Sequence, residues 1–401
     1  MPEAYIYDTL RTPRGSARRG GALHEVKSLN LLAAVLRQLR QGRDLDTSQV
    51  DDVIIGCGTP VDGQGYNIAK AALLHAEWSR EVGGFQLNRY DASGLEAVNL
   101  AAAKVRSGWE QLIVAGGVES SSRVAPGSDG GPLLYDPEVI NQVRYVPQGI
   151  AADLIATLEG FSRQMLDECA LQSHQRAYLA QREGYFNQAL SPIRDRNGLM
   201  LLETDELPHP GLTAEDLAQL SPAFESVGRE GFDALAIQQY PRLARIEHQH
   251  TSGNAATLAD GAALLLIGSR EQGESLGLQA RARILAAGNV SIDPTLMLTG
   301  AVPAARKALQ QAGMKATDVD LWECQENFAA VRLHFRQHLK IEEERLNVNG
   351  GAIAFGKATG ADGAMLLGIL LDELERRDLQ TGLAALPTAG GMGVATIIER
   401  I

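Results

Sequence analysis

The sequence predicts an α/β protein built from two similar halves that pack face to face, with a long insertion. Three observations support this fold class. Short apolar segments alternate with helical patterns, and the chain has 42 glycines in 401 residues, many of them between these segments. One order of turn, helix, strand and glycine turn occurs in each half of the chain. Between the two occurrences, residues 121–249 interrupt the regular alternation, so the halves are expected to form α/β layers around this insertion.

Strands and helices alternate in both halves. Short apolar runs predict buried strands, and apolar residues at a spacing of three to four predict amphipathic helices. The predicted strands are 4–7, 53–55, 112–115 and 321–323. The predicted helices are 29–39, 93–107, 304–311 and 329–339.

The insertion divides the chain into three predicted parts. The N-terminal half comprises 1–120 together with 250–275, where a turn leads into an apolar segment that returns to the core. The C-terminal half comprises 276–401. Residues 121–249 form an inserted loop domain that is richer in proline, glycine and charge. Such a segment often carries binding contacts or a lid, although a solvated excursion explains the same composition.

The repeat places two opposite charges in equivalent turns. Asp91 opens the turn 91–94 and Lys357 opens the turn 357–360, each before an apolar helix. A helix N-terminus favours a negative charge by roughly 0.3–1 kcal/mol and disfavours a cation. Asp91 therefore suits its position, whereas Lys357 needs an anion nearby. If a pseudo-twofold axis relates the halves, we expect a salt bridge between Asp91 and Lys357.

Composition and charge exclude several classes of protein. A formal net charge of -12 argues against nucleic acid and anionic membrane surfaces as partners. Cys57, Cys169 and Cys324 have no paired spacing, so neither a disulfide framework nor a cysteine zinc site is expected. No third ligand is evident beside His248 and His250, and no metal site is predicted. The chain has no apolar signal core or membrane-spanning stretch, so a cytoplasmic protein is expected.

Five segments resemble the motifs of one enzyme family, and they follow in the family's order. They are NRYDASGL at 88–95, GGVESSS at 116–122, QENFA at 325–329, GGAIAFGKATGADG at 350–363 and PTAGGMG at 387–393. The chain resembles the thiolase family, of the acetyl-CoA C-acyltransferase or 3-ketoacyl-CoA thiolase type, over its whole length. The resemblance implies the thiolase fold, in which two α/β halves form five layers in the order αβαβα.

The chain departs from the family at the positions that carry catalysis. In thiolases the position of Asp91 holds the nucleophilic cysteine, and that of Lys357 holds the histidine that activates it. Pro387 stands where the second cysteine acts as the acid and base of the Claisen step. Gln325 replaces the asparagine of the first oxyanion hole, while Glu326 is retained. The resemblance therefore indicates a degenerate member that lacks the catalytic cysteines and histidine.

The resemblance also implies where coenzyme A would bind. The turn TSGNAAT at 251–257 corresponds to the family segment that contacts the pantetheine arm. This match assigns Ser252, Gly253 and Ala256 to coenzyme A binding, although Ala256 stands where the family has a hydroxyl group. Ala389 and Gly390 belong to the glycine turn near the reacting carbonyl. The backbone N–H groups of Asp91 and Ala389 are expected to form the second oxyanion hole. A coenzyme A thioester is the possible ligand, and no cofactor is expected.

Three functions follow from these substitutions. The first is a pseudoenzyme that catalyses neither thiolysis nor Claisen condensation and acts as a scaffold or partner subunit. It would assemble as a homodimer or tetramer, or with an active thiolase or another β-oxidation enzyme. The second is altered acid/base chemistry on a coenzyme A thioester through Asp91, Lys357 and Glu326. The third is an acyl-CoA binding or sensing protein. The charged pair is also compatible with a purely structural role, in which it fills a former active-site pocket without taking part in a reaction.

Overall fold

The computed structural model describes residues 2–401, and it contains all eight elements that the sequence predicts. Among the described residues the strands are β1 (Tyr5–Arg11), β2 (Gly15–Ser16), β3 (Asp52–Gly56), β4 (Phe85–Leu87), β5 (Leu112–Ser120), β6 (Ile193–Arg194), β7 (Met200–Leu202), β8 (Ala259–Gly268), β9 (Ala282–Ser291), β10 (Leu321–Cys324), β11 (Thr381–Thr388) and β12 (Met392–Arg400).

The helices alternate with these strands in each half and are the main structure of the insertion. They are α1 (Ser28–Gly42), α2 (Ile68–His75), α3 (Ser93–Ser107), α4 (Pro132–Tyr135), α5 (Pro137–Val143), α6 (Gln148–Glu159), α7 (Arg163–Arg182), α8 (Ala214–Ala218), α9 (Glu225–Val227), α10 (Asp233–Gln239), α11 (Arg270–Ser275), α12 (Ala301–Ala312), α13 (Ala329–Leu339), α14 (Ala352–Phe355) and α15 (Asp362–Arg377).

The large sheet consists of two half-sheets of matching topology. The strand order is β10-β11-β12-β9-β1-β8-β5-β3-β4, and β2 pairs with β8 beside this path. In the first half β5 lies between β3, which is parallel to it, and β8, which is antiparallel. In the second half β11 has the same relation to β10 and β12. The repeat predicted from the turns at Asp91 and Lys357 is therefore present in the strands that follow them.

The half-sheets meet at one edge. Strands β1 and β9 pair antiparallel over two residues, Tyr5 with Arg283 and Ile6 with Ala282. The sequence analysis predicts two halves packed face to face and contains no sign of this edge contact. Main-chain hydrogen bonds carry the contact, and they leave no pattern in the side chains.

Helices α3 and α15 form the layer between the half-sheets. They pack on each other, α3 against β3 and β5 and α15 against β10 and β11. Thirteen consecutive residues of α15, 362–374, are buried, as expected for a helix enclosed on all sides. The helices approach so closely that a Cβ atom on Gly363 would lie 2.4 Å from the backbone nitrogen of Leu95. Glycine is therefore required at this crossing.

Outer helices complete the five layers that the fold class predicts. Helices α1 and α2 cover the first half-sheet through an apolar cluster that includes Leu32, Leu36 and Leu73. Helices α12 and α13 cover the second half-sheet through a cluster that includes Ala305 and Phe335. The α/β fold with helices on both sides of a large central sheet is thus confirmed. Within residues 2–401, no helix combines the length and the apolar character needed to cross a membrane.

The insertion lies between β5 and β8 and contains α4 to α10 with the small two-stranded sheet β6–β7. Its strands do not join the large sheet over the described residues. Helices α6 and α7 pack against α13 of the second half. The insertion is therefore held against the core by long helices, while the domain boundaries at 120, 249 and 275 stay a prediction.

Candidate active site

The salt bridge predicted between the two turns is present. Asp91 is buried in a short 3-10 turn, Tyr90–Ala92, directly before α3. Lys357 is fixed by its backbone, because its N–H donates to the Thr257 carbonyl at 2.7 Å and its carbonyl accepts from the Ala259 N–H at 2.8 Å. The Lys357 Nζ atom lies 2.6 Å from Asp91 Oδ1. Their side chains are 12% and 3% exposed, so the pair is largely removed from water.

Two further side chains complete this cluster. The Gln148 amide, at the start of α6, donates to Asp91 Oδ2 at 3.2 Å, and its carbonyl oxygen accepts from Lys357 Nζ at 3.4 Å. The Thr388 hydroxyl oxygen lies 3.3 Å from Asp91 Oδ2. Both charges are thus hydrogen-bonded as well as paired, which is the condition for tolerating buried ions. The sequence analysis missed Gln148 and Thr388, since no local pattern signals that the start of α6 and the end of β11 reach the turn before α3.

One consequence corrects the expectation for the second oxyanion hole. The Asp91 N–H donates to the Thr388 hydroxyl at 3.0 Å, so this donor already has an acceptor inside the protein. The nearby Asp91 carboxylate also opposes any second negative charge. The backbone N–H groups of Asp91 and Ala389 are therefore not both free to receive an oxyanion.

The two turns differ in their distance from the helix that follows. Helix α3 begins at Ser93, two residues after Asp91, whereas α15 begins at Asp362, five residues after Lys357. The carboxylate at the start of α15 is Asp362, which accepts from the Ala358 N–H at 3.0 Å. The expectation that Lys357 lies at a helix N-terminus is therefore wrong. The expected anion beside Lys357 is nevertheless present, in the carboxylate of Asp91.

The ion pair lines a cavity of about 530 Å³. Asp91, Lys357, Gln148 and Ala389 all contribute to its surface. Another part of the wall comes from the glycine-rich loop between residues 126 and 134 of the insertion. This volume lies within the range of small-molecule sites in proteins.

Glu119, from the GGVES motif, fixes one wall of the cavity. Its Oε2 atom accepts from the N–H groups of Gly58 at 2.7 Å and Gly360 at 2.9 Å, and Gln64 donates to Oε1 at 2.7 Å. Burial raises the pKa of Glu119, and these hydrogen bonds oppose that increase. Glu119 therefore ties the loop after β3 to the turn before α15, and its role is structural.

Glu326 is not brought together with the ion pair. It is fully buried, and its carboxylate accepts from Ser173 Oγ at 2.6 Å and Asn347 Nδ2 at 2.8 Å. The Arg332 guanidinium lies 3.3 Å away. Glu326 does not line the cavity. The predicted group of Asp91, Lys357 and Glu326 therefore separates into two networks, because the Glu326 side chain is held between Ser173 of α7 and Asn347 in the loop before α14.

Gln325 likewise points into a buried network. Its amide donates to Asp362 Oδ2 at 2.6 Å, and Asp362 also lies 3.5 Å from an Arg14 guanidinium nitrogen. The pKa of Asp362 is raised above its usual value, because the effect of burial outweighs the opposing effect of the Arg14 charge. One amide N–H of Gln325 is thus occupied, and Gln325 does not line the cavity, so it supplies no oxyanion donor there.

Pro387 lies in β11, opposite Gly393 of β12, and is buried. The ladder between β10 and β11 ends at Cys324 and Ala385, and the Gln325 N–H donates to the Ala385 carbonyl. Pro387 therefore lies beyond the end of β10, where its missing N–H removes no bond to that strand. A proline fits here structurally, but it carries no group that can transfer a proton.

The residues assigned to coenzyme A binding fall into two places. Ala389 lines the cavity, and Gly390 follows it with a left-handed φ of 71°. Ser252, Gly253 and Ala256 lie outside the cavity lining, on the segment before β8. This segment is fixed to the protein, since the Ala256 N–H donates to a main-chain carbonyl at 3.0 Å. The structure thus unites Ala389 with the ion pair but does not add the 252–256 residues to the same cavity.

The three cysteines offer no thiolate to this site. Cys57, Cys169 and Cys324 are free and buried, and burial raises the pKa of each thiol. Cys324 ends β10, as the sequence analysis expects for a core residue. A thiol whose pKa is raised in an apolar surrounding is a weak nucleophile. Among the described cysteines, none is therefore suited to act as a nucleophile at the ion pair.

Histidines form two clusters away from the cavity. His248 and His250 each place Nδ1 2.8 Å from the buried carboxylate of Asp153, so they serve as hydrogen-bonding groups. In the part of the chain that the structure describes, Glu159, His334 and His338 form a second group, whose possible metal-ligand atoms lie within 4.8 Å of one another. The sequence analysis missed this group, although the spacing of four residues between His334 and His338 was a usable signal.

Comparison with known proteins agrees with the fold and the motifs. The thiolase N-terminal domain family matches residues 4–230, and the thiolase C-terminal domain family matches 278–400. The chain is 36% identical to a 3-ketoacyl-CoA thiolase of Cronobacter sakazakii and 35% identical to one of Serratia proteamaculans, with 100% of both proteins covered in each case. The crystal structure of the Bacillus anthracis acetyl-CoA acetyltransferase matches with a TM-score of 0.85 and 32% identity, over 100% of this chain and 99% of that one. The chain belongs to the thiolase family.

Proposed function

We propose that this thiolase-family protein does not catalyse thiolysis or Claisen condensation and acts as a non-catalytic partner subunit or scaffold in acyl-CoA metabolism. The observation that carries the proposal is the salt bridge of 2.6 Å between Asp91 and Lys357. These residues stand where the family's cysteine and activating histidine are expected. The two charges satisfy each other, so neither is free to act as a nucleophile or a base.

The chemistry of thiolysis requires groups that the cavity lacks. It needs a thiolate, a base, an oxyanion hole and a second acid/base. A carboxylate that attacked a thioester would give an anhydride rather than a stable acyl-enzyme. Gln325 donates to Asp362, the Asp91 N–H donates to Thr388, and Pro387 cannot transfer a proton. Loss of one oxyanion donor alone costs ~10²–10³ in rate, and groups that act as a unit fail together.

Altered chemistry on a thioester has less support. That proposal joins Asp91, Lys357 and Glu326 on one substrate, whereas Glu326 is held by Ser173 and Asn347 outside the cavity. Acid/base catalysis would thus depend on Asp91 and Lys357 alone. Unchanged turnover of a coenzyme A thioester in Asp91→Ala would exclude a role for the pair.

Binding of an acyl-CoA is a second candidate function, favoured by the cavity of about 530 Å³ that remains beside the ion pair. Phe232 contributes an aromatic side chain to its wall. We expect acyl-CoAs to raise the unfolding temperature and Phe232→Ala to weaken this effect. Trp109→Ala, at an 85% exposed residue outside the cavity, serves as the matched control. An identical response in all three proteins, or none, would remove this candidate.

Self-association is the partner interaction that the surface best supports. Strand β4 ends the large sheet, and an open edge strand can pair with another chain. Tyr66 is fully exposed, and its neighbour Asn67 donates to the Gly84 carbonyl directly before β4. We propose a homodimer through this edge, which light scattering would detect as twice the mass of one chain. A purely monomeric protein would contradict it, and co-purification with an active thiolase would instead identify a mixed assembly.

The proposal is tested by a thiolysis assay with short- and long-chain 3-ketoacyl-CoAs and free coenzyme A. We expect no turnover above the protein-free rate. Cys324→Ala is the control variant, because it removes the cysteine nearest in sequence to the QENFA segment. Turnover that persists in Cys324→Ala and disappears in Asp91→Ala would show that the ion pair supports acyl transfer and would overturn the proposal.

A further inference from the structure

Three metal-ligating side chains converge on the outer surface of the second half, away from the cavity. Glu159 is the last residue of α6, while His334 and His338 lie on α13. The two histidines are four residues apart and therefore share one helix face. Their ring centroids are 4.0 Å apart. Two packed helices thus present two imidazoles and one carboxylate at a single point.

The distances fit the coordination shell of a small divalent ion. Glu159 Oε1 lies 3.1 Å from His334 Nδ1 and 2.9 Å from His338 Nε2. All three candidate ligand atoms lie within 4.8 Å of one another. Zinc–nitrogen and zinc–oxygen bonds of about 2.0–2.2 Å place tetrahedral ligands about 3.3–3.5 Å apart. Shifts of less than about 1 Å in these side chains would therefore open a tetrahedral site.

The side chains have the chemistry of a transition-metal site, because imidazole nitrogen and carboxylate oxygen are both common zinc ligands. The nearby Arg306 guanidinium donates to the His338 main-chain carbonyl at 2.8 Å and leaves the ring nitrogens available.

The ligand types select the class of metal. Imidazole nitrogen suits zinc, copper, cobalt and nickel, whereas magnesium and calcium prefer oxygen ligands. The His338 side chain is 37% exposed, which gives an ion access from solvent. Three protein ligands leave a fourth tetrahedral position for water.

We propose that Glu159, His334 and His338 bind one divalent transition metal ion, with zinc as the expected occupant. The ion links the C-terminal end of α6 to α13 and so fixes the insertion on the second half. The other end of α6 carries Gln148, which contacts both Asp91 and Lys357. Metal binding thus stabilises the helix that completes the ion-pair cluster. The proposal departs from the sequence analysis, which predicted no metal site.

The test is a calorimetric titration of untagged, chelator-treated full-length protein with zinc chloride. We expect one zinc per chain, with the affinity weakened at least tenfold in His338→Asn and in Glu159→Gln. His75→Asn, at an exposed histidine on α2, is the matched control and should bind as the unaltered protein does. Circular dichroism without metal checks that each variant is folded.

Cobalt provides a second measurement that reports coordination directly. Bound Co²⁺ should give the intense visible absorption of a tetrahedral nitrogen and oxygen site in the unaltered protein and in His75→Asn, and lose it in His338→Asn. Zinc should also raise the unfolding temperature of the unaltered protein but not that of His338→Asn. No zinc binding at 100 μM, which is about one hundred times a Kd of about 1 μM, would overturn the proposal. Equal affinity in all variants would also overturn it, because scattered surface histidines would then explain the binding.

Discussion

The buried ion pair gives the most direct prediction about the structure of the altered site. Asp91→Asn keeps the shape of the side chain and its contacts with Gln148 and Thr388, but it removes the charge opposite Lys357. Lys357→Met removes the other charge. Each single change leaves one ion buried without its partner, whereas the double variant removes both.

The magnitude follows from the geometry. At a separation of 2.6 Å, two unit charges attract by about 6 kcal/mol at an effective dielectric constant of about 20. Desolvation offsets part of this attraction, and breaking a buried pair typically costs about 3–5 kcal/mol. With an unfolding entropy of about 2.1 cal/mol/K per residue over 401 residues, that loss lowers Tm by about 4–6 °C. The double variant should lose much less stability than either single variant, since no unpaired charge remains buried.

Differential scanning calorimetry of the four proteins measures this double-mutant cycle. Arg229→Met is the matched control, because Arg229 pairs with Glu225 on the surface with 74% and 48% of the side chains exposed. An exposed pair contributes less than about 1 kcal/mol, so the control should lower Tm by about 1 °C or less. Additive effects of the two single changes, with a coupling energy below about 0.5 kcal/mol, would refute the reasoning that the two charges stabilise each other.

Three other changes probe the surroundings of the site. A thiol in Asp91→Cys would lie before α3 and beside Lys357, so its pKa should fall below the usual ~8.5. Iodoacetamide should therefore alkylate this thiol faster than the three buried cysteines. Equal alkylation rates would contradict the prediction. Hydrogen bonding to Asp153 raises the pKa of His248 to about 9. Its contribution to stability is therefore complete below pH ~6.5 and is lost as the pH rises through 9, so Tm should fall over this interval in the unaltered protein and less in His248→Gln. A parallel decline in both would exclude His248 as the cause. Glu326→Gln should lower Tm by several degrees but leave any acyl-CoA binding unchanged, and weakened binding would show that Glu326 acts at the cavity after all.

The regular elements were predictable because their side chains repeat a simple pattern. Helix α3 begins and ends at the residues predicted, and the buried run of α15 is apolar enough to signal a central helix. The salt bridge was predictable too, since the repeat places two opposite charges in equivalent turns and a lone buried charge is costly. In both cases the evidence is local sequence or a repeated local sequence.

The remaining features depend on contacts between distant segments. Gln148 reaches Asp91 from 57 residues away along the chain, and its identity carries no sign of that contact. Glu326 and Gln325 adjoin each other in one motif, yet the first binds Ser173 and the second Asp362. The grouping of Glu326 with Asp91 and Lys357 rested on the resemblance alone, and the structure separates them because Ser173 and Asn347 hold the Glu326 carboxylate.

Intact-mass spectrometry after mixing the protein with a 3-ketoacyl-CoA tests the central claim most directly. A thiolase-type reaction leaves an acyl group on its nucleophile, and the measurement assigns any added mass to this chain rather than to a contaminant. With Asp91 paired to Lys357 and all three thiols buried, we expect the unmodified mass. An acyl adduct that maps to Asp91, or to any cysteine of the folded protein, would contradict the claim that acyl transfer has been lost.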